Sequence, residues 1–201
     1  MRIAVMASGE GTTLQALIDA IAAGRLQGQL VAVVSNNGQS GAIARASAYG
    51  IPFAHLSGTT HPEPALLDAA ICRMLTEAGA DVVVLAGYMK KIGPQTLERF
   101  AGRIINTHPA LLPRHGGKGM YGRRVHEAVL ASGDASTGVS VHLVDAEYDT
   151  GPVIAQATCP VPVGATVDAL ESQVQALEKA FLCATLERIA RGEIPLGPGL
   201  R

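Results

Sequence analysis

Residues 103–113 read Arg-Ile-Ile-Asn-Thr-His-Pro-Ala-Leu-Leu-Pro. Ile104 and Ile105 lead into a short strand-like run, and Asn106 and His108 follow two positions apart. Side chains at i and i+2 of an extended chain share one face. The carboxamide and the imidazole therefore project side by side, about 7 Å apart along the strand. Pro109 removes a backbone donor and fixes φ, which ends the strand there, and Pro113 closes the Leu111–Leu112 pair in the same way. An amide N–H steadies a developing oxyanion, and an imidazole carries a proton near neutral pH. The pair is thus a catalytic candidate. An Asn in a turn beside a His bonded to a carbonyl would have the same spacing, so spacing alone leaves both readings open.

The elements that must position this pair are legible from periodicity. Arg2–Ala7 is a short apolar run suited to a buried strand, and the turn Ser8-Gly9-Glu10-Gly11-Thr12-Thr13 follows it. Leu14, Leu17, Ile18 and Ile21 then recur at helical spacing. Strand, glycine turn and helix in that order aim free backbone N–H groups and a helix dipole at the space above the strand end, which favours phosphate. The turn is neither GxGxxG nor GxxxxGK[ST], so neither a dinucleotide site nor a P-loop is implied. A plain turn with Thr12 or Thr13 as N-cap fits equally well.

Further along, Leu30–Ser35, Phe53–Leu56 and the Val-rich Asp81–Ala86 read as strands, the last buried on both faces. Ala42–Tyr49, the stripe Leu66, Leu67, Ala70, Ile71 and Met74, and Leu97–Phe100 read as helices. Strands alternating with helices predict an α/β, doubly wound, mostly parallel sheet. Right-handed crossovers place the loops after Ala7, Ala86 and Thr107 at its carboxyl edge, where such sheets bind ligands. Gly138–Val144 and Val153–Ala157 predict an antiparallel hairpin that extends the sheet. Thr166–Arg191 predicts a long amphipathic helix with Val167, Leu170, Val174, Leu177, Phe181, Ala184 and Leu186 on its apolar side. The Pro/Gly-rich segment 192–201 is expected to fray. The chain reads as one domain, with a phosphate-binding half over 1–100, a catalytic half over 101–191 and a flexible tail over 192–201.

Several segments carry chemistry without a unique reading. Met89 and Ile92 are suited to line an apolar slot beside the buried strand, while Lys90 and Lys91 make a local positive patch or a solvated helix start. Gly116-Gly117-Lys118-Gly119-Met120-Tyr121-Gly122 has four glycines in seven residues, which no regular element interior tolerates. It is expected to be a mobile loop beside the site, either a lid or a tolerated insertion. Asp145-Ala146-Glu147-Tyr148-Asp149 is an acidic loop closed by Gly151-Pro152. His142, two residues from Ser140, either orients a catalytic side chain or is a satisfied core histidine. His55, His115 and His126 lack ligand spacing, so no metal is expected.

Composition removes other classes. The 201 residues carry 16 Lys+Arg against 17 Asp+Glu with no basic run, which disfavours a dedicated nucleic-acid binder. Cys72, Cys159 and Cys183 are odd in number and scattered, without a CxxC pair, and fit a reduced, cytosolic protein better than a disulfide or zinc framework. The amino terminus lacks a signal-peptide core, and no apolar stretch approaches membrane-spanning length.

Ser8-Gly9-x-Gly11-Thr12-x-Leu14-Gln15, Asp81-Val-Val-Val-Leu-Ala-Gly87-Tyr-Met89, Asn106-x-His108-Pro-x-Leu-Leu-Pro113, Ser140-Val-His142 and Asp149-x-Gly151-Pro152 occur in that order across almost the whole chain. In this arrangement the sequence resembles the phosphoribosylglycinamide formyltransferases, the folate-dependent glycinamide ribonucleotide transformylases. The resemblance implies a Rossmann-like formyltransferase fold. It also implies transfer of a formyl group from 10-formyltetrahydrofolate, as co-substrate, to the amine of glycinamide ribonucleotide in de novo purine biosynthesis. Asn106, His108 and Asp149 would be catalytic, with Asp149 raising the pKa of His108 so that it stays protonated. Gly11, Thr12 and Thr13 would hold the substrate phosphate, and Glu178 the ribose hydroxyls. Met89, Lys90, Lys91, Ile92 and Asn106, with Asp145, Ala146, Glu147, Tyr148 and Asp149, would bound the folate.

The expected partners are these two small molecules, with no nucleic acid and no membrane. The protein is expected to be cytoplasmic and a monomer or weak homodimer. Thr13 stands where many relatives have Asn. Pro64 replaces an Arg that helps hold the folate in some relatives, a role left open to His61, Lys90 or Lys91. A formyltetrahydrofolate hydrolase usually has an amino-terminal regulatory domain, whereas the first strand here begins at residue 2. A methionyl-tRNA formyltransferase needs a further carboxyl-terminal domain. A nucleotide-binding module without catalysis would not need Asn106, His108 and Asp149 together.

Overall fold

The computed structural model describes residues 1–197. Seven strands form one sheet: β1 (Arg2–Ala7), β2 (Gln29–Ser35), β3 (Phe53–His55), β4 (Val82–Leu85), β5 (Ile104–His108), β6 (Ser136–Leu143) and β7 (Val153–Pro160). Helices α1 (Thr12–Ala22), α2 (Gly41–Ala48), α3 (Pro64–Glu77) and α4 (Pro94–Arg99) link the first five strands. Helix α5 (Arg123–Ala131) precedes β6, and α6 (Val167–Ala190) follows β7. The spatial order is β3-β2-β1-β4-β5-β6-β7. Strands β1 to β5 pair in parallel, while β5–β6 and β6–β7 are antiparallel. The doubly wound reading and the terminal hairpin are both present. Strand order reverses between β1 and β4, and the loops after β1, β4 and β5 meet at that crevice.

Because side chains alternate along a strand, each central strand feeds two cores. Ile3 and Val5 of β1 and Val82 and Val84 of β4 pack with Leu14 and Leu17 of α1 and Leu182, Leu186 and Ile189 of α6. Ala4, Met6, Val83 and Leu85 face the other way, against Ile71 and Leu75 of α3 and Phe100. Burying each Leu or Ile contributes about 1.5–3 kcal/mol, which is why these Val-rich strands sit centrally.

The buried stripe of α6 runs through Leu170, Val174, Leu182, Thr185, Leu186 and Ile189. Ala184 faces solvent, so its expected place on the apolar side is corrected: it lies on the same turn as Leu182 but is rotated away from the core. At the carboxyl end, Ile194 is buried, Leu196 packs against the core, and the Gly197 N–H donates to the Gly102 carbonyl. Residues 192–197 are thus held on the fold, in contrast to the frayed end expected, and 198–201 lie outside the described residues.

Candidate active site

Asn106 and His108 leave the carboxyl end of β5, on a strand held between β4 and β6. The segment that follows is fastened to the sheet by a buried hydroxyl. Ser140 Oγ donates to the Ala110 carbonyl at 2.7 Å and accepts from the Leu112 N–H at 2.9 Å. Gln156 Nε2 donates to the Leu112 carbonyl at 3.0 Å and to Ser140 Oγ at 2.8 Å. Motif reading noted Ser140 without a role and passed over Gln156. The polar Ser140 among the buried residues of β6 was the available signal, whereas Gln156 is an exposed position of β7 and carried none.

Asp149 comes from the loop between β6 and β7 and meets this pair. Its Oδ2 lies 3.4 Å from His108 Nδ1 and accepts from the Gly117 N–H at 2.9 Å. Its Oδ1 lies 3.5 Å from His142 Nε2. His142 Nδ1 donates to the Leu143 carbonyl at 2.8 Å, so Nε2 accepts from Asn106 Nδ2 at 3.0 Å. Asn106 therefore keeps a second N–H for another acceptor. His142 serves both readings offered for it, since it is buried and satisfied and also orients Asn106. His108 Nε2 donates to the His115 carbonyl at 2.7 Å.

Protonation follows from burial. Burial lowers the pKa of His108; Asp149 and the His115 carbonyl push it up, neighbouring His142 and His115 push it down, and the net displacement is downward. The expectation that Asp149 raises His108 above its ordinary value is thus corrected: the ring is nearly enclosed, and loss of hydration outweighs one carboxylate. Asp149 is raised by burial, but His142, His108 and the Gly117 N–H outweigh that, so its carboxyl titrates below the usual range. Asp149 thus holds its negative charge more firmly, and His108 gives up its proton more readily, than the free side chains do.

Two cavities meet at these residues. The larger, about 570 Å³, is walled by Gly87–Met89, Thr107, His108, Pro109, the loop 117–122, Arg124 and His126, and by Glu171, Gln175 and Glu178 on α6. The smaller, about 60 Å³, is lined by Leu85, Lys90, Lys91, Ile92, His142 and the loop Val144–Asp149. Tyr88, Asn106, Tyr148 and Asp149 line both. Of the folate-site residues expected, all but Met89 line the smaller cavity; Met89 lies on the wall of the larger one. At the smaller slot Lys91 pairs with Glu147 at 3.0 Å and lies 5.2 Å over the Tyr148 ring.

Glu178 projects into the larger cavity and accepts from Thr107 Oγ1 at 2.6 Å. Burial raises its pKa, opposed by Thr107 and Lys179. It is not an ordinary exposed helix glutamate.

Gly11, Thr12 and Thr13 line neither cavity. Ser8 makes the link: its N–H donates to the Gly87 carbonyl at 3.2 Å, and its Oγ accepts from the Met89 N–H at 2.8 Å. Gly11, rather than either threonine, is the N-cap of α1, at φ 69°. Thr12 and Thr13 begin the helix, whose first N–H groups have no intrahelical acceptor, as in an anion site. A side chain at Gly11 would come within 2.7 Å of Ala42 Cα, so glycine lets the turn rest on α2. Arg45 of α2 steadies the turn by donating to the Glu10 carbonyl at 3.0 Å and to Gln15 Oε1 at 2.8 Å. Nothing in the local pattern marked Arg45.

The glycine-rich segment forms one wall of the larger cavity and reaches Asp149 through the Gly117 N–H, while His115, just ahead of it, meets His108. Among the described residues, no three His, Cys, Asp or Glu side chains converge as a metal site. None of the described helices is long and apolar enough to cross a membrane.

Comparison with known proteins agrees with this geometry. Residues 1–186 match the family model described as formyl transferase. The chain is 35% identical over 196 residues to phosphoribosylglycinamide formyltransferase of Escherichia coli K12, covering 98% of this chain and 90% of that one. It is 40% identical over 190 residues to the Mycobacterium tuberculosis protein of the same name, covering 94% and 85%. The crystal structure of glycinamide ribonucleotide transformylase 1 from Symbiobacterium toebii superimposes with a TM-score of 0.88 at 35% identity, covering 96% of this chain and 88% of that chain. This chain belongs to the formyl transferase family, in its phosphoribosylglycinamide formyltransferase branch.

Proposed function

We propose that the protein transfers the formyl group of 10-formyltetrahydrofolate to the amine of glycinamide ribonucleotide, yielding formylglycinamide ribonucleotide and tetrahydrofolate in de novo purine biosynthesis. The observation that carries this reading is the junction of two cavities at Asn106 and Asp149, with His108 beside it. A transferase must bring two substrates to one carbon, and that junction is where their reacting ends would meet. The smaller cavity lies against the residues expected to hold the pterin. The larger has the Glu178 carboxylate for ribose hydroxyls, and its Gly87 and Met89 are hydrogen-bonded to Ser8 of the α1 turn, whose free N–H groups suit a phosphate.

The nucleophile is the substrate amine, so no Ser, Cys or Lys nucleophile is required. Attack forms the new N–C bond and places negative charge on the formyl oxygen. The free N–H of Asn106 is the donor for that oxygen, and a lost donor of this kind typically costs about a hundredfold or more in rate. Neutral His108 takes the proton from the attacking amine. Asp149 stabilises the imidazolium that forms, and the ring returns the proton to N10 as the N10–carbon bond breaks. A ring that starts neutral suits this sequence better than one held protonated at the outset.

The reading takes the protein as cytoplasmic, acting as a monomer or weak homodimer without nucleic acid, membrane or metal. Three free cysteines fit a reducing compartment.

The deciding experiment incubates the purified full chain with 10-formyltetrahydrofolate, with and without glycinamide ribonucleotide. Tetrahydrofolate should appear only when the ribonucleotide is present, and Asn106→Ala should abolish its appearance. Release of formate in the absence of the amine would overturn the reading in favour of a hydrolase.

A further inference from the structure

The side chains of Arg114, His115 and Asp134 form a cluster behind the catalytic pair that the roles above leave unused. His115 has φ 54°, and among the described residues it shares a positive φ outside glycine only with Asp149, at φ 58°. An L-residue in that region costs roughly 1–2 kcal/mol, so neighbouring contacts must hold it there. The holding contact is visible: His115 Nε2 lies 2.8 Å from Asp134 Oδ2, with both side chains mostly buried. Arg114 donates to the other oxygen of the same carboxylate. Asp134 sits between α5 and β6, just ahead of the strand whose Ser140 fastens residues 110–112. The carboxylate is thus tied to the rigid sheet, and the strained residue is tied to the carboxylate.

Holding His115 this way aims its carbonyl at His108 Nε2, at 2.7 Å. A carbonyl only accepts, so Nε2 must carry the proton. In the neutral ring the lone pair is then left on Nδ1, the nitrogen 3.4 Å from Asp149. We infer that the Asp134–His115 pair is a positioning device for His108: it locks the Nε2–H tautomer and so makes Nδ1 the nitrogen that receives the proton from the substrate amine. This inference rests on the transferase reading. Outer groups that set a histidine's tautomer typically alter activity by about 10- to 100-fold when changed.

The test pairs nitrogen NMR with kinetics on the full chain. With ¹⁵N-labelled histidine, at about pH 8 and above the ordinary histidine pKa of about 6.5, wild-type His108 should show a protonated Nε2 and an unprotonated Nδ1. Asp134→Asn should mix the two tautomers and lower kcat at least about tenfold, with KM for both substrates nearly unchanged. His115→Gln in the otherwise wild-type chain, whose amide N–H can take the place of the ring Nε2–H toward Asp134, should keep the wild-type pattern in large part. A wild-type ring protonated on Nδ1 overturns the inference, and this needs no variant to fold. So does an Asp134→Asn protein with unchanged ring shifts, whether or not its kcat falls, because any effect would then not pass through the tautomer. The NMR arm uses no substrate, so its failure is separable from a failure of formyl transfer.

Discussion

Replacing Asp149 with Asn removes one charge and little volume, which isolates the electrostatic contribution to catalysis. The lost carboxylate stands 3.4 Å from His108 Nδ1 and 3.5 Å from His142 Nε2, and it accepts from the Gly117 N–H. A hydrogen bond to a charged group contributes about 1.5–3 kcal/mol. Asn in place of Asp149 removes the charge, so about that much stabilisation of the imidazolium formed during reaction is lost. The rate should fall about 10- to 100-fold.

The direction with pH is equally definite. His108 acts from its neutral form, and burial already sets its pKa below the ordinary value. Removing Asp149 removes a contribution that raises it. The acid limb of kcat/KM should therefore shift to lower pH while the plateau drops. Steady-state rates for both proteins from about pH 5 to 8, the range in which histidine titrates, measure both effects. A limb that stays in place, or that moves to higher pH, would refute the assignment of His108 as the base and Asp149 as its partner.

Three further outcomes follow from the geometry. Gly11→Ala should raise KM for the ribonucleotide, because its methyl meets Ala42 Cα at 2.7 Å in a left-handed backbone. Strain and overpacking together should lower stability by about 2–5 kcal/mol, read by urea unfolding; unchanged ribonucleotide KM would move the phosphate elsewhere. Glu178→Gln keeps a partner for Thr107 but removes the charge, so ribonucleotide KM should rise with folate KM unaltered. Equal changes in both constants would remove Glu178 from the sugar site. Burial lowers the pKa of both His108 and His126. Between each lowered value and the ordinary value of about 6.5 the unfolded chain binds more protons, so stability is present above that window and is lost as pH falls through it. Melting temperature should decline from about pH 7 toward pH 5, and a His126→Phe variant should decline less steeply; parallel curves would refute that assignment.

The elements were readable because periodicity and breakers are local. The Val-rich run Asp81–Ala86 read as a strand buried on both faces, which β4 is, and Pro109 ends β5 directly after His108. The i, i+2 spacing of Asn106 and His108 already put both at one strand end. Errors came where a rotation about a helix axis or a long-range contact decides. Ala184 lies outside the stripe it was expected to join. Residues 192–197 pack on the fold because Ile194 finds a hydrophobic seat that no neighbour in sequence announces.

By itself the sequence determined the strand–turn–helix order, the placement of Asn106 and His108, and the family likeness that drew Asp149 to them across some forty residues. Tertiary structure alone decided the state of His108. The downward move of its pKa depends on how completely its surroundings exclude water, and hydration is a property of an enclosure rather than of a residue. The contacts of Arg45 with the turn before α1, of Ser140 with the segment after β5, and of Asp134 with His115 belong to the same class. Each joins polar groups whose separation in sequence says nothing about their distance in space, and each was settled only when the packed sheet brought those groups within hydrogen-bonding range.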